Sequence, residues 1–252
     1  MRGKVVAIVP AAGIGKRFGA GKNKLLYELS GKPLLIWTLE ALEGVEEIDE
    51  IVPVLQEGDL EYGGVLIRDF RITKVKRVLP GGKERQDSVY CGIRSLEGDN
   101  AIVVVHDGAR PFIDSDMVRR ALEGLDGCDG AIAGVPVKDT IKECKMLPPQ
   151  PPLAKGGSRG GKDIIVQKTL ERSVLWSVQT PQVFRVRTIR EAHERARSEG
   201  YYATDDAALV ERYGGRIRIV EGSYRNIKVT TPEDIHIAEA ILKEMQDAKC
   251  KI

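Results

Sequence analysis

Short segments rich in valine and isoleucine recur along the chain, and stretches with the spacing of amphipathic helices separate them. Each apolar segment is nearly unbroken, as in strands that are buried on both faces of a sheet. The intervening stretches are long enough to cross over and cover such a sheet. This alternation of strand and helix predicts an α/β fold with a mainly parallel, twisted sheet. The predicted strands are residues 5–9, 51–55, 75–79, 101–105 and 131–137, and the predicted helices are 34–42, 88–96 and 117–125.

The C-terminal part of the chain continues this pattern and ends in a helix with a marked start. Thr231 can act as the N-cap of that helix, and Pro232 suits its first position. We predict helices at 186–197 and 206–213, strands at 216–220 and 227–229, and the closing helix from 232 to about 246.

A proline- and glycine-rich stretch, residues 144–162, interrupts the alternation and cannot belong to the core. Its flanks, residues 140–142 and 164–169, can pair as the two strands of a hairpin that projects from the main body. For the tip itself a disordered insertion is an equal alternative. We therefore expect one domain over residues 1–252, with an arm of about 138–175 inserted within it.

Composition limits the function classes. The chain has 252 residues, of which 42% are hydrophobic, and its formal net charge is +2, so no global excess of positive charge favours nucleic acid or a membrane surface. The longest apolar run, residues 5–15, is broken by Pro10 and is shorter than the ~20 residues of a membrane span. The four cysteines lie far apart without a CxxC pair, which indicates reduced thiols in a cytoplasmic protein.

A glycine-rich basic segment, residues 10–24, directly follows the first predicted strand. Gly13 and Gly15 let successive backbone N–H groups turn toward phosphate oxygens. The segment is neither a Walker A loop, since Gly21-Lys22 precedes Asn23, nor a dinucleotide fingerprint, since Phe18 replaces the third glycine. Its place at the carboxyl end of a strand favours a polyphosphate site over a plain surface loop. The basic residues are Lys16, Arg17, Lys22 and Lys24.

Further candidate residues follow other predicted strands. Asp107 lies at the same sheet edge and could hold Mg²⁺ together with substrate phosphates, although Asp107-Gly108 could also be a simple turn. Lys228 lies among apolar neighbours, so its amine either reaches solvent or points at an anion. Ser88 can contact a ligand or cap a helix, and its spacing does not decide between these roles.

Motifs for other kinds of catalysis are missing. The three histidines form no HExxH or paired-ligand pattern, and no GxSxG elbow provides an activated serine. Positive charge, glycine backbone and a carboxylate at a strand end are what phosphoryl-type transfer by positioning and electrostatics requires.

Taken together, these segments resemble the 2-C-methyl-D-erythritol 4-phosphate cytidylyltransferase family over nearly the whole chain. The resemblance implies a Rossmann-like nucleotidyltransferase in which a substrate phosphate attacks the α-phosphorus of CTP and releases pyrophosphate. The segments that carry it are PAAGIGKR from Pro10, GGKERQDSV from Gly81, HDGARP from His106, VPVKDTIK from Val135, LWSVQTPQ from Leu175, TDD from Thr204 and NIKVTTPED from Asn226.

The resemblance also implies roles for individual residues. Arg17 and Lys24 match triphosphate contacts, Lys228 a lysine that stabilises charge at the α-phosphate, and Asp107 the ligand of Mg²⁺. The cytidine pocket corresponds to backbone groups around Ala11, Ala12, Gly81 and Gly82 and to the Ser88 hydroxyl, whereas Gly13 and Gly15 keep the phosphate-binding role predicted above. The contacts to the polyol phosphate correspond to Arg110, Thr140, Arg172, Thr180 and Thr204.

In this family the arm crosses to a second subunit. The resemblance therefore implies a homodimer in which Thr140 and Arg172 complete the partner's site by arm exchange.

Other functions remain open at this stage. Ribitol 5-phosphate cytidylyltransferases share the glycine loop, the arm and the lysines, so the acceptor is not decided by residue chemistry. A non-catalytic nucleotide sensor would keep the fold, but Arg17, Lys24, Asp107 and Lys228 are all present. RNA binding is weakest, because few aromatic residues accompany the basic segment.

Overall fold

The computed structural model describes residues 3–13, 27–146 and 164–249. In these residues the strands are β1 (Val5–Pro10), β2 (Glu28–Leu29), β3 (Lys32–Pro33), β4 (Glu50–Leu55), β5 (Leu79–Pro80), β6 (Ile102–Val105), β7 (Gly130–Pro136), β8 (Lys142–Met146), β9 (Ile164–Thr169), β10 (Trp176–Arg185) and β11 (Ile217–Glu221). The helices are α1 (Leu34–Glu43), α2 (Leu60–Asp69), α3 (Arg85–Arg94), α4 (Ser115–Glu123), α5 (Val186–Ser198), α6 (Asp206–Arg212) and α7 (Pro232–Lys249).

The strands of the main sheet follow the order β11-β7-β10-β6-β1-β4-β5. β1 pairs in parallel with β4 and β6, β4 with β5, and β7 with β11, whereas β10 runs antiparallel to β6. The predicted α/β fold with a mainly parallel sheet is confirmed.

The residues of β1 alternate between two apolar cores, one on each face of the sheet. Val5, Ala7 and Val9 belong to a core with α1 and α4, whereas Val6 and Ile8 belong to a core with α3 and α5. This burial on both faces explains why the strand is an unbroken apolar run.

β10 escaped prediction because its pattern is polar. Gln179, Thr180 and Gln182 are buried in it, and their side chains are hydrogen-bonded to neighbouring segments. Satisfied polar groups can occupy a core, but they leave no apolar periodicity in the sequence.

Two predicted strands were wrong in whole or in part. Residues 227–229 form no strand, because the segment is joined to its neighbour by the hydrogen bond from Val229 N to Ala109 O rather than by a ladder. Of residues 75–79, Val75 makes an isolated bridge with Ile51 and regular pairing starts only at Leu79. Helix α2 was missed, since Gly63 and Gly64 weaken its helical signal.

The remaining predicted elements lie close to the observed ones. Helices α1, α5, α6 and α7 begin where predicted, whereas α3 begins at Arg85 rather than 88. The Asp234 carboxylate accepts hydrogen bonds from Thr230 N and Thr231 N at the start of α7.

The chain divides into two compact units, Met1–Gly134 with Val178–Ile252, and Val135–Ser177. In the second unit β8 and β9 form an antiparallel hairpin in which Lys142 is opposite Thr169 and Met146 is opposite Ile164. The predicted pairing of the two flanks is therefore observed, with the first strand at 142–146 instead of 140–142. Most of the predicted tip, residues 147–163, lies outside the described residues.

Among the described residues, no helix is both long and apolar enough to cross a membrane.

Candidate active site

A cavity of about 180 Å³ opens at the carboxyl edge of the main sheet, where β1 ends. The backbone of this strand end approaches the cavity through residues with no side chain or a single methyl group, which leaves room for a ligand. Its walls include Ala11, Ala12, Gly13, Gly82, Arg85, Ser88, Asp107 and Lys228.

Gly81 and Ser88 shape the loop beside this cavity. A Cβ added to Gly81 would lie 2.5 Å from Ala12 Cβ and 2.8 Å from Ser88 Oγ, so a larger residue does not fit. The Ser88 hydroxyl donates to Glu84 O and accepts from Gly82 N, both at 3.2 Å. Ser88 therefore holds the loop between β5 and α3 in place, in addition to lining the cavity.

A second cavity, of about 250 Å³, lies beside the first. Its walls bring together residues that are distant in sequence, namely Arg110, Thr180, Thr204, Asp205, Arg85, Asp107 and Lys228. Arg85, Asp107 and Lys228 line both cavities and so form a shared wall between them.

Asp107 is the negative centre of this shared wall. Its Oδ1 accepts a hydrogen bond from Arg85 Nε at 3.0 Å, and its Oδ2 lies 2.6 Å from Lys228 Nζ. Arg110 Nε is 3.8 Å from Oδ2. Burial alone would raise the pKa of Asp107, but the charges of Arg85 and Lys228 outweigh it and hold the pKa far below its usual range. Asp107 is therefore a carboxylate, surrounded by three cations.

His106 and Thr180 form a hydrogen-bond chain that ends at the backbone amide of Asp107. The fully buried His106 ring donates from Nε2 to Arg110 O at 2.9 Å, so its Nδ1 accepts from the Thr180 hydroxyl at 3.1 Å. That hydroxyl in turn accepts from Asp107 N at 3.1 Å. Burial lowers the pKa of His106 to about 4, against the effect of its hydrogen bond to Arg110 O. A neutral ring thus fixes Thr180, and Thr180 fixes the Asp107 amide.

Lys228 reaches the site from an irregular segment that Asn226 anchors. Asn226 is fully buried, and its Nδ2 donates to Thr180 O at 2.8 Å. Asn226 O accepts from Arg110 Nη1 at 2.6 Å. One buried residue therefore positions Arg110 beside the second cavity and the start of the segment that carries Lys228.

Three of the predicted residues lie outside the described residues, and two lie in the second unit. Arg17, Lys24 and Gly15 lie outside the described residues. Thr140 and Arg172 are exposed in the second unit, where Arg172 Nη1 donates to Lys138 O at 2.8 Å.

The donor set limits which metal the site could hold. Within residues 3–13, 27–146 and 164–249, no three His, Cys, Asp or Glu side chains are grouped as metal ligands. Asp107 is a carboxylate at the edge of both cavities, and each of its oxygens has a further lone pair. This fits a hard divalent cation that takes one protein carboxylate and completes its shell with phosphate oxygens and water.

Arg85 lines both cavities and Asp206 binds it from outside them, and neither residue was predicted from the sequence. Arg85 Nη1 donates to Asp206 Oδ2 at 2.7 Å, although 121 residues separate them. Both residues lie inside motifs that had been singled out, GGKERQDSV and TDD. The available signal was that one motif contains an acid and another contains an arginine, which could pair if the fold brings the two motifs together.

Comparisons with known proteins agree with this architecture. Residues 5–244 match the profile of the family described as 2-C-methyl-D-erythritol 4-phosphate cytidylyltransferase. The chain belongs to this family. The family is one of cytidylyltransferases in isoprenoid biosynthesis, so the predictions of an enzyme and of a nucleotidyltransferase are confirmed.

Relatives of the same family cover almost the entire chain. The cytidylyltransferase of Geotalea uraniireducens is 43% identical over 98% of this chain and 100% of its own length. That of Geobacillus kaustophilus is 46% identical over 94% of this chain and 96% of its own length. Both carry the methylerythritol phosphate name, so the ribitol phosphate alternative is not favoured.

Solved structures of the cytidylyltransferase family share the fold. The 4-diphosphocytidyl-2C-methyl-D-erythritol synthase of Anaerococcus prevotii superposes with a TM-score of 0.78 at 28% identity, over 96% of both chains. The Thermus thermophilus enzyme gives a TM-score of 0.71 at 31% identity, over 96% of this chain and 100% of that one.

Proposed function

We propose that this protein transfers CMP from CTP to 2-C-methyl-D-erythritol 4-phosphate, releasing pyrophosphate and forming 4-diphosphocytidyl-2-C-methyl-D-erythritol. The observation that carries the proposal is the pair of adjoining cavities with Arg85, Asp107 and Lys228 as their shared wall. A reaction that joins two phosphates needs two substrates whose phosphates meet at one charged boundary.

The nucleotide occupies the first cavity in this proposal. The small residues Ala11, Ala12 and Gly13 allow the base and ribose to approach the backbone at the end of β1. In the sequence, Gly15 follows these residues and offers its backbone N–H to phosphate, and Arg17 and Lys24 contact the triphosphate in this proposal.

The acceptor occupies the second cavity. Arg110 supplies positive charge there for its phosphate, and Thr180 and Thr204 contribute polar groups beside it. The acceptor phosphate then attacks the α-phosphorus in line, with Lys228 next to the developing charge. The Lys228 side chain is 37% exposed, and in the described part of the chain a single carboxylate holds it, so it can turn from Asp107 toward a phosphate.

Asp107 holds a divalent cation, Mg²⁺, in this proposal. When bound, the cation neutralises the phosphate charge that would otherwise oppose attack. Asp107 is already ionised and oriented before substrate arrives, because Thr180 holds its amide and Arg85 its carboxylate.

The second unit is the dimerisation arm in this proposal, and it delivers Thr140 and Arg172 to the partner's site. The hairpin and its base expose large apolar side chains, which need a cover in a stable assembly. Those more than half exposed are Met146, Ile164, Ile165, Val166 and Val174.

The cytoplasm is the proposed compartment. Cys91, Cys128 and Cys144 are free thiols, as a reducing environment favours.

Pyrophosphate release from CTP tests the proposed function. With Mg²⁺ present, we expect turnover with 2-C-methyl-D-erythritol 4-phosphate and little with ribitol 5-phosphate. A preference for ribitol 5-phosphate, or no turnover with either acceptor, would contradict it.

A further inference from the structure

Arg85 joins two carboxylates that come from separate elements. It is the first residue of α3, and its guanidinium donates from Nε to Asp107 and from Nη1 to Asp206. A guanidinium can bridge two carboxylates in this way because its donors form a rigid planar fork, which a lysine ammonium lacks.

Asp206 acts from outside the cavities. Its side chain is 1% exposed, and it lines neither cavity. Its Oδ1 lies 3.1 Å from Nε2 of the fully buried His193. A buried acid is costly unless it is paired, and Arg85 is its cationic partner within the described residues.

Helix capping does not account for Asp206. The N-cap of α6 is Asp205, whose Oδ1 accepts from Ala208 N at 2.9 Å. Asp205 Oδ2 also accepts from Gln182. Asp206 therefore does not cap the helix, and its carboxylate contacts Arg85 and His193 instead.

Arg85 is immobilised to a degree that Lys228 is not. Two carboxylates hold Arg85, whereas Lys228 has one ionic contact among the described residues and a long flexible stem. Arg85 consequently cannot follow a substrate phosphate without leaving Asp107 or Asp206. Its position suits it to hold the Asp107 carboxylate still while Lys228 moves.

We propose that Arg85, anchored by Asp206 and His193, is a positioning residue for the transfer reaction that fixes Asp107 at the boundary between the two cavities. This inference rests on the proposed function. It predicts that the reaction depends on the bridge made by Arg85 and not only on its charge.

The test compares Arg85→Lys with a matched control. Arg77 pairs with Glu50, another buried carboxylate, at the opposite edge of the sheet. We expect Arg85→Lys to lower kcat by about tenfold or more while KM for CTP stays within about threefold, because positioning is needed mainly in the transition state. Arg77→Lys leaves kcat unchanged. A kcat loss in Arg85→Lys no larger than in Arg77→Lys, or a loss confined to KM, would overturn the proposal.

The anchor is tested by non-additivity. If Asp206 acts through Arg85, Asp206→Asn lowers kcat in the wild-type background but not further in Arg85→Lys. Independent, multiplicative losses would overturn the anchoring role. Thermal unfolding shows whether Asp206→Asn folds. If it does not fold, Arg85→Lys still tests the proposal, because Arg85 is partly exposed and its substitution is tolerated more easily.

A second readout is chemical rescue. Added guanidinium ion should restore part of the lost kcat in Arg85→Ala and none in Lys228→Ala, whereas equal or absent rescue would count against the bridge.

Turnover by the wild-type protein is measured first. Its absence would refute the proposed function, whereas wild-type turnover with unaffected variants would refute only the positioning role.

Discussion

At the scale of single residues, the electrostatics of the site depend on one carboxylate surrounded by cations. Asp107 is ionised because Arg85, Lys228 and Arg110 surround it, and those cations are held close because Asp107 is buried with them. Net positive charge therefore remains at the boundary of the cavities. A field fixed before substrate binds stabilises charge that develops at phosphorus without the cost of reorganisation.

Removing the mobile cation should affect the chemical step most. We predict that Lys228→Ala lowers kcat by a factor on the order of 10² or more, because positive charge is lost at the transferring phosphorus. The same loss is predicted for Lys24→Ala. Steady-state pyrophosphate release measures both, and Lys76→Ala, an exposed lysine bonded to Thr73 O, is the control. Near-normal turnover in Lys228→Ala would show that the lysine has no catalytic role.

Gly81 gives a residue-scale prediction about shape. In Gly81→Ala the new Cβ meets Ala12 and Ser88 in the wall of the first cavity, so we expect KM for CTP to rise by about tenfold with a smaller change in kcat. Gly58→Ala is the matched control, because a Cβ there has nothing within 4 Å. An unchanged KM for CTP in Gly81→Ala would show that this glycine does not shape the nucleotide pocket.

At the scale of elements, helix α7 depends on a side chain inside its own first turn. Partial burial would raise the pKa of Asp234, but hydrogen bonds from Thr230 and Thr231 lower it below its usual value. A carboxylate with a lowered folded-state pKa stabilises the fold above its unfolded pKa, and that contribution is lost as the pH falls through the folded value. The start of α7, which follows Lys228 closely, is thus most secure near neutral pH.

The corresponding prediction concerns stability as a function of pH. Asp234→Ala should lower the free energy of unfolding by about 1 kcal/mol at neutral pH, as expected for loss of a cap. The difference from wild type should shrink toward zero as the pH falls to about 2. Urea denaturation at several pH values measures it, and Asp247→Ala, exposed near the other end of α7, is the control. A difference that stays constant with pH would contradict the assignment.

At the scale of the whole molecule, the proposed dimer would explain two features of the second unit. Its hairpin exposes apolar side chains on both strands, and Thr140 and Arg172 at its base are exposed too. An arm that binds another subunit would explain both observations. The same partner copy would then cover the apolar side chains and receive the contacts of Thr140 and Arg172.

Mixing inactive variants tests this arrangement. If Arg172 completes the partner's site, a heterodimer of Arg172→Ala and Lys228→Ala subunits has one intact site. An equal, fully exchanged mixture should then regain about a quarter of wild-type activity, since half of the dimers are mixed and each has one working site of two. Sedimentation equilibrium measures whether the protein forms the proposed dimer. A mixture that stays inactive after exchange would show that Arg172 serves its own chain or none.

Much of the fold could be predicted because burial leaves a local trace. The run in β1 and the helical spacing of α1 record which faces are covered, and residues placed after β1 and β6 necessarily meet at one sheet edge. Polar burial leaves no such trace, so β10 was missed. The segment at 227–229 resembles a strand in composition but has no partner strand in the described sheet.

The sequence by itself determined the class of fold and placed Ala11 and Asp107, which follow β1 and β6, at one edge of the sheet. Only the tertiary structure decided which charges pair: that Lys228 contacts Asp107, that Arg85 reaches Asp206 across 121 residues, and that His106 turns inward. The physical reason is that the periodicity of apolar residues shows only on which face of its own helix or strand a residue lies. The partner of a charge depends on which distant segments the chain brings alongside it.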